Sequence, residues 1–140
     1  MKNTKYLVAF LVAIIVVGYF FTKDVKVEVS QYKDLIRVTT PLPESMISSP
    51  LVIKGEARGG WFFEASFPVI LTNWDGLIIA EGYAEAKDDW MTTDYVPFEA
   101  VLEFAADTLV SNRGALILKK DNPSGLSEND DAFEYTVYFK

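Results

Sequence analysis

Past residue 34 the apolar side chains of this chain recur at every second position in short stretches, and no stretch keeps a helical period of three to four. A strand turns successive side chains to opposite faces, so each alternating stretch must bury one face and wet the other. Val96, Phe98, Ala100, Leu102 and Phe104 alternate with Pro97, Glu99, Val101 and Glu103, and Phe133, Tyr135, Val137 and Phe139 repeat the pattern near the end. A third face comprises Phe63, Ala65, Phe67, Val69 and Leu71. That stretch runs into Asn73-Trp74-Asp75-Gly76, whose Asp-Gly pair supplies the positive backbone angles of a tight hairpin.

Strands are expected over residues 35–40, 51–58, 63–72, 77–85, 96–104, 114–120 and 132–139. About seven short strands at this spacing predict an all-β domain, an immunoglobulin-like β-sandwich, with a small barrel as the other architecture that the period allows. Ala80, Gly82, Ala84 and Ala86 share one face, which calls for close approach by a neighbouring sheet or large aromatics. Pro68 and Pro97 cannot donate to a ladder, so each is expected where its strand has a free side or a bulge. Loops are expected over residues 40–50, 87–95 and 120–131.

A different kind of segment opens the chain. Residues 6–21, YLVAFLVAIIVVGYFF, carry no charge and are flanked by Lys2, Lys5 and Lys23. At about 1.5 Å per residue the run reaches roughly 24 Å as a helix, and snorkelling lysines make up the remainder of a ~30 Å hydrocarbon core. Signal cleavage needs small residues before the cut, whereas this run ends in Gly18-Tyr19-Phe20-Phe21. The expectation is a retained transmembrane anchor over residues 1–23, its signal-anchor helix at about 6–22, followed by a stalk or linker over 24–34, whose alternating Val25, Val27 and Val29 could also make a first strand, and the sandwich over 35–140. Basic residues before the helix put the N-terminus inside, giving a single-pass protein of the cytoplasmic membrane with an extracytoplasmic domain.

Charge narrows the partners. The net charge is -7, and setting aside the three lysines beside the apolar run leaves 10 basic against 20 acidic residues. Such a domain is repelled by phosphate backbones, so no nucleic acid is expected as a partner. The chain has no cysteine and no histidine, which removes thiolate chemistry, the usual base of serine hydrolases and the commonest zinc ligand. No cofactor is expected.

The run GEARGGWFFEASFPV (residues 55–69), followed by DDWMTTDYVPF (88–98), resembles the immunoglobulin-like domain of bacterial spore germination proteins. SSPLVIKGEA (48–57), WDG (74–76) and NPSG (122–125) support the resemblance, which covers residues 35–140. It implies a bacterial origin, a seven-stranded sandwich and an accessory module of secreted or envelope-bound chains with no catalytic residues to carry over. It does not imply sporulation. The chain departs from larger members in showing no partner domain.

Within these motifs, Trp61, Phe62 and Phe63 cannot all face one side of a strand, so at least one ring must lie outside the core. An outward ring could stack on sugar or anchor a partner, but the weightier reading is that it caps the sandwich end against the Trp90 loop. Trp61, Phe62, Trp90, Met91 and Tyr95 are the candidate partner-binding residues. Arg58 and Glu64, with Glu56 nearby, flank the Gly59-Gly60 turn as a candidate structural ion pair. The acidic groups Asp88, Asp89 and Asp94, and Asp121, Asp130 and Asp131, lack the spacing of a calcium loop and read as solvated charge. The expected function is a non-catalytic, membrane-anchored binding or scaffolding module of the cell envelope. A cell-wall glycan partner and a structural subunit assembling through its N-terminal helix are the alternatives, and oligomeric state stays open.

Overall fold

The computed structural model describes residues 28–140. The apolar run and the expected anchor helix lie outside the described residues. Among those residues no helix is long and apolar enough to cross a membrane.

Nine strands form one continuous, curled sheet: β1 (Ser30–Tyr32), β2 (Ile36–Thr40), β3 (Met46–Ile47), β4 (Leu51–Arg58), β5 (Ser66–Asn73), β6 (Ile78–Ala86), β7 (Tyr95–Leu102), β8 (Arg113–Lys119) and β9 (Ala132–Phe139). Their order is β1-β2-β4-β7-β6-β5-β8-β9-β3. All neighbours are antiparallel except β3, which lies parallel to β9. Strand β6 pairs along its length with β5 but meets β7 only through Glu85↔Glu99 and Ala86↔Phe98. The sheet folds over at this two-pair seam, so β1-β2-β4-β7 faces β6-β5-β8-β9-β3 as the two layers of an immunoglobulin-like sandwich.

The alternation read from sequence builds the interior. Val96, Phe98, Ala100 and Leu102 of β7 are buried, as are Phe133, Tyr135, Val137 and Phe139 of β9. Rings meet across the layers: Phe67 of β5 lies 4.9 Å from Phe98 of β7, edge to face. The small-residue face of β6 is filled as expected, although at Gly82 the close neighbour is the Leu102 side chain rather than an aromatic ring. Both prolines sit where a ladder stops. Register between β5 and β8 begins at Val69, one residue past Pro68, and register between β7 and β6 ends at Phe98, one residue past Pro97. The missing N–H therefore breaks no ladder bond.

Three expectations are corrected. The described residues form nine strands, not about seven, because the two-residue β3 and three-residue β1 are too short to show a period. Strand β1 falls within the expected linker, and its Tyr32 packs on the core. Strand β5 starts at Ser66 rather than residue 63, because Glu64 and Ala65 take left-handed angles (φ 49° and 64°) and form a tight turn closed by Phe63 and Ser66.

Candidate functional site

Strand directions gather four connections at one end of the sandwich: residues 33–35, 59–65, 87–94 and 120–131. The connections at residues 73–77 and 103–112 lie at the opposite end. In an immunoglobulin-like fold such loop clusters are the usual places where a scaffold presents contact residues.

The first loop is shaped by its glycines. Gly59 and Gly60 open a single 3-10 turn, Gly59–Trp61. A side chain at Gly59 would collide with the carbonyl oxygens of Trp90 and Thr92, so glycine lets the 87–94 loop lie directly on this turn. The Gly59 N–H donates to the Asp94 carbonyl at 3.2 Å, tying the two loops. Trp61 and Phe62 then enter the core, and the turn at Glu64-Ala65 reverses the chain and leaves Phe63 outside.

Only Phe63 of the three consecutive rings reaches the surface, 40% exposed, with its ring 6.5 Å from Trp90 at 69°. Trp90 is half-buried beneath it, and Met91 stands 75% exposed at the loop crest. The polar residues of this loop fix its shape. Asp89 Oδ1 accepts the Met91 N–H at 3.0 Å, and Thr92 Oγ1 accepts the Asp94 N–H at 3.1 Å. The fourth connection joins through the Asp121 N–H, which donates to the Trp61 carbonyl at 3.1 Å.

Beside the aromatic crest lies a charged brace. The Tyr95 ring is held between two guanidinium groups, Arg37 and Arg58, each 3.9 Å from the ring centroid. Such stacking stabilises a cation without a counter-charge. Asp34 closes the arrangement: Tyr95 Oη donates to its Oδ1 at 2.8 Å and Arg58 Nη2 to its Oδ2 at 2.7 Å. The Tyr95 bond, and then Arg58, hold the Asp34 carboxyl below its ordinary range. Arg37 also pairs with Glu56 at 3.0 Å. Nearby, Asp131 accepts Lys33 Nζ and Tyr32 Oη, both at 2.9 Å, pinning the 33–35 turn to the start of β9.

The sequence-derived candidates divide accordingly. Trp90, Met91 and Tyr95 come together at this end, joined by Phe63, a surface ring although the alternation places it on the face shared with Phe67 and Val69. Trp61 and Phe62 are buried and are corrected from contact residues to core residues. Arg58 is paired with Asp34, not with Glu64, because the left-handed turn at residues 64–65 carries Glu64 away from β4. Asp34 and Arg37 were missed. No local pattern marks them, since their partner Tyr95 lies about sixty positions further on. Among the described residues no three acidic side chains gather as metal ligands do. Each oxygen of the Asp34 carboxylate accepts one hydrogen bond, from Tyr95 or from Arg58, which ties the 33–35 turn to β4 and β7 at the exposed surface.

A family model, the immunoglobulin-like domain of bacterial spore germination, matches residues 35–127, and the chain belongs to that family. No curated protein and no solved structure matches the chain.

Proposed function

We propose that this family member is a non-catalytic recognition module of the bacterial cell envelope, which contacts a partner protein through the loop end bearing Phe63, Trp90 and Met91. One observation carries the reading: apolar side chains are held at the surface there by a rigid frame. Two loops are seated on each other at Gly59, and the Asp34–Tyr95–Arg58 brace lies alongside. Pre-ordering of this kind lowers the entropy lost on association. The rim is acidic, with Asp88, Asp89 and Asp94, which favours a neutral or basic partner and disfavours polyanions.

The apolar run at residues 6–21 is read as a membrane tether for this module. The direction of β1 supports that arrangement. Because Ser30 pairs with Val38 and Tyr32 with Ile36, β1 runs toward the loop end, so a tether would approach it from the side of the opposite end. A tether there leaves the loops pointing away from the lipid. Confinement at the membrane also raises effective concentration, so a modest interface can be occupied.

A photo-reactive residue replacing Met91 in the full chain, expressed in bacteria, tests the reading. The expected result is one foreign cross-linked protein, absent when the same residue replaces Glu81 on the sandwich side. A ladder of self-adducts would favour the assembly alternative, and attachment to glycan alone would favour a wall-binding role. Equal labelling from both positions would overturn the loop-end site.

A further inference from the structure

The end opposite the recognition loops carries apolar side chains that the fold does not use. In the 73–77 hairpin Trp74 is 54% exposed and Leu77 65% exposed. In the neighbouring 103–112 loop Leu109 is 96% exposed and Val110 68% exposed. Trp74, Leu77 and Val110 line one cleft of about 380 Å³, floored by Ile79 and Phe139. The hairpin does not require them. Its geometry is set by Gly76 (φ 79°) and by Asn73, whose Oδ1 accepts the N–H groups of Asp75 and Leu77 at 3.0 and 2.9 Å. Three of these side chains share one cleft and Leu109 adjoins Val110 in sequence, an apolar cluster of the kind that marks an interaction site.

What this tip would meet follows from chain length, granted the tether of the preceding subsection, on which this inference rests. From the end of the apolar run to Ser30, across residues 22–29, are nine Cα steps, which extend to at most roughly 32 Å. Ser30 is level with Val38, which pairs with Gly55, and the tip-ward end of β4 at Leu51 is four residues further on, about 13 Å. With the sandwich upright on its tether, the linker thus keeps the tip within about 19 Å of the bilayer surface even when fully stretched. Shorter linker paths bring it into contact.

We infer that this tip docks on the bilayer, with Trp74, Leu77, Leu109 and Val110 entering the boundary between headgroups and acyl chains. A tryptophan with neighbouring aliphatic side chains suits that boundary. Charge does not drive the contact: Asp75, Glu103 and Asp107 at this end outnumber Arg113 and Lys140. Attachment should therefore be undiminished on a zwitterionic membrane.

The test uses the full chain in liposomes of phosphatidylcholine brominated near the headgroup, compared with unbrominated lipid. Of the three tryptophans, Trp61 is buried and Trp90 lies at the far end, so quenching should fall by at least half in Trp74→Phe and be unchanged in Trp90→Phe. In a second readout, Leu109→Cys supplies the sole cysteine, and a polarity-sensitive dye there should shift to shorter wavelength in liposomes. Flotation reads the tether independently. A chain that fails to float removes the tether and this inference together, whereas one that floats without Trp74-dependent quenching or a dye shift overturns the docking alone. Trp74 shielded from aqueous acrylamide yet insensitive to bromine would mean that a second copy covers the tip, which also overturns it.

Discussion

Replacing either of two adjacent glycines with alanine should have opposite consequences. At Gly59 an added methyl would overlap the carbonyl oxygens of Trp90 and Thr92, whereas at Gly60 it would meet nothing within 4 Å. Neither residue has a positive φ, so alanine is compatible with the backbone at both positions. Removing glycine freedom from the unfolded chain contributes about 0.4–1 kcal/mol of stability where the new side chain fits. Gly60→Ala should show that gain. Gly59→Ala must also push the 87–94 loop back by about 1 Å and weaken the Gly59 to Asp94 hydrogen bond, an overpacking cost of about 1–3 kcal/mol. The net loss is roughly 1–2 kcal/mol. Urea unfolding of the full chain in detergent, followed by tryptophan fluorescence, measures the difference. With a slope of about 1–3 kcal/mol per molar for a domain of this size, the two midpoints should separate by roughly 1 M, with Gly60→Ala the higher. Midpoints that coincide would refute the claim that the second loop is seated on Gly59.

Two further outcomes are expected. Because its partners depress the Asp34 carboxyl relative to the 3.8 of a free side chain, its contribution is present above that pH and lost as pH falls through the lower folded value. Asp34→Asn should therefore reduce the steepness of acid unfolding below about pH 3.8, and an unaltered acid limb would count against the brace. The double substitution Glu64→Asn with Ala65→Gly puts residues suited to left-handed angles into the turn at 64–65, and should raise stability by about 1 kcal/mol, seen as a thermal midpoint higher by about 4–8 °C. A lower midpoint would show that the turn is held by its side chains rather than tolerated despite them.

The strands legible in sequence were those long enough to alternate against a buried layer. The stretch ending in Phe139 could be placed because each second side chain, from Phe133 onward, had no other way to be dry. What stayed hidden depended on contacts distant along the chain. Strand β1 is a strand only because β2 pairs with it, and β3 only because it lies along β9. The start of β5 was misplaced because Glu-Ala is not a turn signature, and the same error assigned Phe63 to the core and Phe62 to the surface. Composition did locate the loop around Trp90 and Met91. It could not pair Arg58 with Asp34, since Glu64 was nearer in sequence and the fold turned it away.

The sheet begins with a strand of three residues and finishes with one of two. Runts at these two margins offer little free backbone, but β6 leaves Ile78–Ala84 unpaired on its β7 side. A neighbouring molecule that lends a strand would thus find its free hem along β6, where the two layers part, and not at either end of the strand order.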